Sequence, residues 1–278
     1  MSSVSVVIPS FNRVETLQRA LASVLSQTRI ADEVIVVDDG STDSTAEMII
    51  NNFPDVVYLY QTNRGVSAAR NLGITHASSD WIALLDSDDE WLPEKLQRQF
   101  ALLENYPELS NELKVCHTEE IWVRNGKRVN QMKKHEKAGG WIYQRCLPIC
   151  AMSPSSIVIH RSVFEKVGLF DEGLPACEDY DLWLKICSRY PVAYIEEPLI
   201  VKYGGHEDQL SRRYWGMDRF RVKSLLHILN EGRLEGDDLL ATRRVLIEKL
   251  NILIQGAKKR GNVELLPEYE KILADIGE

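Results

Sequence analysis

The chain has 278 residues, a formal net charge of −8 and a hydrophobic fraction of 44%. That length suits one large domain, or one domain with an appendage, and can bury a substantial core. The acidic balance argues against nucleic acid as the main partner, because nucleic-acid-binding domains carry clustered basic residues.

The first hundred residues alternate between predicted strands and predicted helices. Apolar, β-branched runs predict strands at 4–8, 33–38, 56–60 and 81–86. Two pairs spaced as capping boxes, Asn12–Glu15 and Ser44–Glu47, predict the starts of the first two helices. Pro93 suits the first turn of the helix after the fourth strand. This alternation with short connections predicts an α/β fold with a mostly parallel sheet flanked by helices.

Polar segments follow all four of these strands. They lie at 9–12, 38–39, 63–65 and 86–89. In parallel α/β sheets, ligands bind beyond the carboxyl ends of the strands, at the point where the strand order reverses. We therefore expect the four segments to face one edge of the sheet and to form one site there.

Regular alternation ends after residue 110. Strands are predicted at 114–123, 155–160 and 192–203, and a helix at 178–189. From about residue 214 onward, leucines at helical spacing predict a C-terminal helical region. Three outcomes are open for its apolar stripes: docking on the main domain, a homodimer, or contact with a membrane surface through 258–260. Docking is the default expectation.

A segment rich in lysine and arginine stands out in the acidic chain. It contains Arg124, Lys127, Arg128, Lys133, Lys134 and Lys137. We interpret it as a solvated loop and not as a binding patch.

The five cysteines are odd in number and contain no CxxC pair, which predicts reduced thiols in a cytoplasmic protein and no zinc site. The N-terminal segment lacks the basic region of a signal peptide. No run approaches the roughly 20 apolar residues of a membrane span.

The segment LLDSDDEW at 84–91 places three carboxylates, Asp86, Asp88 and Asp89, within four residues. They would repel one another strongly unless a cation lay between them. Mg²⁺ typically binds one or two carboxylates together with substrate phosphates. The segment therefore predicts a metal that bridges the protein to a diphosphate. The alternative is an acidic turn that complements the dipole of the following helix.

Three further residues are candidates for chemistry. The carboxylate of Asp39 could accept the N–H of a base such as uracil, with Gly40 allowing the ligand close to the backbone. Asp179 could be a general base, although carboxylates are ordinary in a first helical turn. His206 is a lone histidine, for which a structural or surface role is by itself the better interpretation.

Other phosphate-binding patterns are absent from the sequence. Neither a P-loop nor a GxGxxG segment follows the first strand. In DDGST, Val37 stands where a phosphatase of the haloacid dehalogenase type has its nucleophile.

Five segments, in this order, resemble a family-2 glycosyltransferase of the GT-A fold. They are VSVVIPSFNR, DEVIVVDDGSTDST, NRGVSAARNLGI, WIALLDSDDEWLPEKL and VGLFDEGLPACEDYDLWLK. The resemblance implies a Rossmann-like GT-A domain at 1–211 and a C-terminal helical region at 212–278. The donor would bind the half at 1–110 and the acceptor the half at 111–211. The implied reaction is an inverting transfer from a nucleotide-sugar that depends on Mn²⁺ or Mg²⁺.

The resemblance also implies roles for individual residues. It assigns donor binding to Pro9, Ser10, Asn12, Asp39, Arg70 and Asp86. Within that set Asp39 would contact the base, Arg70 the nucleotide and diphosphate, and Asp86 the ribose. Asp88 matches the metal ligand and Asp179 the catalytic base. His206 resembles a histidine that closes on the metal or the diphosphate.

One departure from the family pattern is informative. Processive synthases of the family carry QxxRW beside membrane helices, whereas this chain has QLSRR at 209–213. We therefore expect the addition of one or a few sugars. The expected acceptor is a glycan or a lipid-linked sugar of bacterial surface polysaccharide synthesis, with peripheral membrane contact. Its pocket is expected from 141–150 and 152–156.

Two other functions remain open from the sequence. A sugar nucleotidyltransferase would need a glycine-rich, basic loop after the first strand, and PSFNR is neither. A non-catalytic nucleotide-sugar or glycan-binding module would have lost the base, whereas Asp179 is present. Asp39 does not distinguish uracil from guanine or thymine, and UDP is the favoured nucleotide.

Overall fold

The computed structural model of the chain describes residues 2–104, 113–205, 214–262 and 264–277. Within these ranges the strands form one nine-stranded sheet in the order β3-β2-β1-β4-β8-β6-β9-β5, with β7 paired to β6. The sheet has helices on both faces, and the predicted α/β class is confirmed.

The first four strands are parallel. They are β1 (Val4–Ser10), β2 (Glu33–Asp38), β3 (Val57–Tyr60) and β4 (Trp81–Leu84). The helices between them are α1 (Val14–Leu25), α2 (Thr45–Asn52) and α3 (Val66–His76). The strand order reverses between β1 and β4, which is the position where such sheets bind ligands.

The rest of the sheet is mixed, so parallel pairing dominates only among the first four strands. Its strands are β5 (Glu90–Trp91), β6 (Val115–Arg124), β7 (Lys127–Val129), β8 (Val158–His160) and β9 (Ala193–Gly204). Strand β6 is parallel to β9, whereas β4–β8, β6–β8, β6–β7 and β5–β9 are antiparallel. Strand β8 is shorter than predicted because Pro154–Ser156 forms a 3₁₀ turn.

The helices of this half are α4 (Lys95–Glu104), α5 (Tyr143–Cys146), α6 (Arg161–Val167) and α7 (Glu178–Cys187). Helix α4 begins two residues after Pro93, so the predicted placement of that proline in the first helical turn is wrong.

Both faces of the sheet are buried. Val4, Val6 and Ile8 of β1 pack in one apolar core with Leu17 of α1, and Val7 packs in the core on the opposite face. Successive side chains of a strand point to opposite faces, so continuous apolar runs suit strands that are covered on both sides.

Three C-terminal helices complete the described structure: α8 (Asp218–Asn230), α9 (Gly236–Arg260) and α10 (Leu266–Gly277). Leu225 and Leu246 are fully buried in the same core as Trp183 of α7. The hydroxyls of Tyr143 and Thr242 lie 2.8 Å apart across this contact. The C-terminal helices therefore pack on the main body of the chain. Within the described ranges, no helix is both long enough and apolar enough to cross a membrane.

Both predicted capping boxes are wrong. Neither α1 nor α2 has a side-chain cap from its own N-cap residue. The carboxylate of Asp43 instead accepts hydrogen bonds from the backbone N–H groups of Val14, at 3.2 Å, and Thr45, at 3.1 Å. One carboxylate thus caps the first turns of both helices.

The basic segment forms the β6–β7 hairpin and a 3₁₀ turn, Lys133–His135. Most of its cations are exposed, as expected of a solvated loop. Lys137 is the exception, because its side chain is 4% exposed and its Nζ lies 3.3 Å from the buried carboxylate of Glu120. Hydrogen bonds and the Lys137 and Lys202 cations outweigh burial and lower the pKa of Glu120 to about 2.

Candidate active site

The loop after β1 is tied to the loop after β2. The side-chain oxygen of Asn12 accepts a hydrogen bond from the backbone N–H of Thr42 at 2.7 Å. Asn12 has φ +52°, in the left-handed region that asparagine tolerates. Pro9 and Ser10 are buried and paired with β2. Within the described structure, the Ser10 hydroxyl is buried without a hydrogen-bond partner, so it could donate to a ligand at this edge.

The adjacent carboxylates Asp38 and Asp39 have separate partners. Asp38 accepts from the backbone N–H of Ser41 and from the hydroxyl of Tyr58, both at 2.7 Å. Asp39 accepts from the side chain of Gln61 at 2.6 Å and from the backbone N–H groups of Arg64 and Gly65, each at 2.8 Å. A carboxylate has about four acceptor positions, so Asp39 retains capacity for one more donor.

Gly40 allows two loops to approach each other. Its φ is +86°, and a Cβ at this position would lie 2.8 Å from the backbone nitrogen of Asn63. The glycine therefore makes room for the loop after β3, and its contact with a ligand stays a prediction.

Arg70 of α3 joins the loop after β4 to the start of α7. Its guanidinium is buried and lies 2.7 Å from Asp86 Oδ1 and 2.7 Å from Glu178 Oε1. Burial alone would lower the pKa of Arg70, but the two carboxylates outweigh it and raise the pKa. Two of the predicted donor residues, Arg70 and Asp86, are therefore in direct contact. The third residue of this bridge is Glu178, and Asp179 follows it directly in the chain.

Within the DSDD segment the three carboxylates are not equivalent. Asp89 is 1% exposed and accepts hydrogen bonds from Ser155 Oγ at 2.6 Å and from the backbone N–H of Tyr203 at 3.0 Å. Burial and the neighbouring Asp88 raise the pKa of Asp89. Asp86 and Asp88 are half-buried. The third carboxylate thus stabilises the loop from inside, while the other two reach the surface of the site.

The residues present fit a divalent cation only in part. Among the described residues, no group of three His, Cys, Asp or Glu side chains is arranged to hold a metal. A hard cation that takes most of its ligands from substrate phosphates and water needs only one or two carboxylates, and the half-buried Asp88 could supply one. His206, the other predicted ligand, lies outside the described residues.

Asp179 is half-buried in the first turn of α7. One carboxylate oxygen accepts from the backbone N–H of Tyr180 at 2.6 Å, and the other accepts from Cys150 Sγ at 3.0 Å. Burial, and then the charge of Asp179, raise the pKa of Cys150. Cys150 therefore remains a thiol, and its single proton has two acceptors in reach, the carboxylate of Asp179 and the backbone oxygen of Met152 at 3.1 Å.

Three residues of the site were not assigned individually from the sequence. Ser155 lies within the expected pocket segment, and Cys150 at its boundary, but nothing in the chain indicated their carboxylate partners. Lys202 lies in β9, and its Nζ donates to Ser153 Oγ at 3.0 Å. Glu120 and Asp89 outweigh the effect of burial and raise the pKa of Lys202. Its partners come from distant segments, so no local sequence signal could have found it.

Comparison with known proteins identifies the family to which the chain belongs. The family model described as Glycosyl transferase family 2 matches residues 5–168. An Escherichia coli protein, UDP-Glc:alpha-D-GlcNAc-diphosphoundecaprenol beta-1,3-glucosyltransferase WfgD, is 31% identical over 195 residues, which cover 69% of this chain and 72% of that protein. Uncharacterized glycosyltransferases of several Rickettsia species also match, and the chain spans from 31% to 65% of their length.

Solved structures share the fold. S. aureus TarS 1-349 in complex with UDP-GlcNAc superposes with a TM-score of 0.74 at 20% identity, covering 99% of this chain and 80% of that one. The mannosyltransferase PcManGT from Pyrobaculum calidifontis, in complex with GDP-Man and Mn²⁺, has a TM-score of 0.59 at 16% identity, covering 99% and 84%. At these identities the likeness concerns the fold, which is that of GT-A glycosyltransferases.

Proposed function

The chain belongs to glycosyltransferase family 2, and from this premise we propose that it transfers a sugar from a UDP-sugar to a hydroxyl of a glycan or lipid-linked acceptor, with inversion. The observation that carries the proposal is the buried bridge Asp86–Arg70–Glu178. It ties the loop that carries the proposed donor residue Asp86 to the start of α7, where the proposed base Asp179 follows Glu178 in the chain, and this supports the proposal.

The donor nucleotide is assigned to the loops that follow β1 and β2. Asp39 retains an acceptor position for a base N–H, and the Ser10 hydroxyl is a buried donor at the same edge. UDP is the proposed nucleotide because the names of WfgD and of the TarS complex both contain a UDP-sugar. PcManGT, in contrast, was solved with GDP-Man.

Asp88 is assigned to a divalent cation, and Asp86, which is paired with Arg70, to the ribose of the donor. When bound, Mn²⁺ or Mg²⁺ would offset the negative charge that develops on the leaving diphosphate. The PcManGT complex with Mn²⁺ supports this assignment by analogy of fold.

Asp179 is assigned the role of general base. Its carboxylate takes the proton from the acceptor hydroxyl, whose oxygen attacks the anomeric carbon from the face opposite the diphosphate. The new glycosidic bond forms as the bond from the anomeric carbon to the diphosphate oxygen breaks, through a transition state of oxocarbenium character. A positioned general base typically contributes about 10²–10⁴-fold to the rate.

The proposed place of the reaction is bacterial surface polysaccharide synthesis. The name of WfgD describes an acceptor in which a sugar is linked through a diphosphate to undecaprenol. The same class of acceptor is proposed for this chain.

The test is a panel of UDP-, GDP- and dTDP-sugars with Mn²⁺, in which released nucleoside diphosphate is measured with and without glycan acceptors. We expect release from a UDP-sugar. In the Asp179→Asn variant the rate should fall by about 10²-fold or more, while the Kd for UDP stays within twofold. Glu196→Gln, at an exposed carboxylate, is the matched control.

Three results would contradict the proposal. Release of pyrophosphate would indicate a nucleotidyltransferase, and binding without any release would indicate a non-catalytic module. Full turnover in Asp179→Asn would remove that residue from the role of base.

A further inference from the structure

A cavity of about 220 Å³ with a basic wall is lined in part by the two neighbours of Cys150, the residue that contacts the candidate base. Its lining includes Lys133, Lys134, Glu136, Arg145, Ile149 and Ala151, and we call it the basic cavity. Lys133 and Lys134 belong to a segment for which the proposed reaction has so far given no role, whereas Arg145 lies in the segment 141–150 that is expected to form the acceptor pocket.

The basic cavity is connected to Asp179 through the segment that contains Cys150. Ile149 and Ala151 line it and flank Cys150 in the chain. The Cys150 thiol donates to the carboxylate of Asp179 at 3.0 Å. One wall of the cavity is therefore built from the segment that holds the candidate base.

The cations of the cavity have no carboxylate partner among the residues that the structure describes. Among the described residues, no carboxylate lies within 4.0 Å of the side-chain nitrogens of Lys133, Lys134 or Arg145, and all three side chains are exposed. Arg145 donates one hydrogen bond, to the backbone oxygen of Glu136 at 3.1 Å. Three cations thus face a single carboxylate in a chain whose net charge is −8. Such a local excess attracts an anion.

The size of the basic cavity indicates what kind of anion it takes. Pockets for whole small molecules usually measure about 300–1,000 Å³. A cavity of about 220 Å³ is suited to a part of a ligand, such as a phosphoryl or diphosphoryl group. A second cavity of about 640 Å³ shares Lys133 and Glu136 with it and leaves room for the rest of a larger molecule.

We propose that the basic cavity binds the phosphoryl groups of the acceptor, so that the acceptor is a phosphate- or diphosphate-linked sugar. This inference rests on the proposed function, in which the diphosphate of the donor occupies the edge near Asp88. An anion site in the other half of the chain, built from the segment that contacts Asp179, then belongs to the second substrate. Arginine and lysine at such a site supply charge-assisted hydrogen bonds to phosphate oxygens.

The test compares three synthetic acceptors that carry the same sugar: a short-chain alkyl diphosphate, a free sugar 1-phosphate and a phosphate-free alkyl glycoside. Each is measured with the UDP-sugar that the donor panel selects. We expect the KM of the diphosphate acceptor to be at least ten-fold below that of the glycoside. The sugar 1-phosphate shows whether phosphate suffices without the alkyl chain.

The variant Lys133→Gln/Lys134→Gln/Arg145→Gln should raise the KM of the diphosphate acceptor ten-fold or more and leave that of the glycoside within twofold. The matched control is Lys223→Gln/Arg243→Gln/Arg244→Gln, which removes the same charge from exposed helix positions. It should change neither KM.

Calorimetric binding of the alkyl diphosphate sugar, with UDP present and no donor sugar, provides a readout without turnover. If the wild type binds the alkyl diphosphate sugar and the Lys133→Gln/Lys134→Gln/Arg145→Gln variant does not, the basic cavity is a phosphate site. This result would hold even if no sugar transfer were detected and the proposed function failed. Equal affinity for the diphosphate and the glycoside would overturn the inference. So would a variant that loses binding to vesicles of anionic lipid but keeps its acceptor KM, because the cations would then serve a membrane surface.

Discussion

At the scale of single residues, Arg70 matters most for the candidate site. It is 3% exposed, and both of its carboxylate partners lie within 2.7 Å of it. A buried cation of this kind is costly to remove, because the carboxylates that it neutralises remain behind in a poorly solvated place.

Arg70→Met should therefore lower the free energy of unfolding by about 3 kcal/mol. The measurement is urea unfolding at pH 7 followed by circular dichroism. Arg243→Met, at an exposed position of α9, is the control and should change stability by less than about 0.5 kcal/mol. If Arg70→Met lowered the free energy of unfolding no more than the control does, the bridge would contribute nothing to stability.

The sequence predicted the place of Asp39 and Asp86 because each directly follows an apolar strand, and strand ends are local features. It failed where the partner of a residue is far away in the chain. Asn12 was predicted to cap α1, but its side chain binds Thr42. Lys137 was predicted to be solvated, but it pairs with Glu120. Spacing within one segment does not reveal such partners.

At the scale of an element, α4 contains a buried lysine. Lys95 is 0% exposed, donates to Gln99 at 2.8 Å, and its Nζ lies 3.9 Å from the ring centre of Trp91. Burial lowers the pKa of Lys95 from 10.5 to about 7. Between these values the unfolded chain binds more protons than the folded one, so stability rises with pH.

We expect the stability of the wild type, relative to Lys95→Met, to increase by about 2 kcal/mol between pH 7 and pH 9. Well below pH 7 Lys95 is protonated in both the folded and the unfolded wild type, and the stability difference should no longer change with pH. Urea midpoints at several pH values measure it, and Lys166→Met, at an exposed lysine, is the control. A difference that does not change with pH would mean that Lys95 is not desolvated.

The elements themselves were predicted unevenly. The four parallel strands with their helices were found because β-branched runs and helical spacing alternate regularly. The pairing of β8, β6 and β9 could not be predicted, because β6 pairs antiparallel with β8 and parallel with β9. Hydrophobic periodicity gives the faces of a strand but not the direction of its neighbour.

At the scale of the whole molecule, the C-terminal helices share one core with the catalytic part. Leu246 of α9 and Trp183 of α7 are both 0% exposed in that core. Elements that share a core are expected to unfold together.

Leu246→Ala should lower the free energy of unfolding by about 2–5 kcal/mol and keep a single transition. Tryptophan fluorescence and far-ultraviolet circular dichroism should give the same urea midpoint. Leu240→Ala, on the same helix but at a leucine that is 65% exposed, is the control. Two separate midpoints would contradict the shared core.

The bridge made by Arg70 also concerns the order in which the protein is made. Glu178 is 108 residues further along the chain than Arg70. At a synthesis rate of about 5–20 residues per second, roughly 5–20 s pass between the emergence of the guanidinium and that of its second partner. During that interval the nascent N-terminal half holds a cation with one of its two counter-charges missing, so the bridge becomes complete only after the beginning of α7 has left the ribosome.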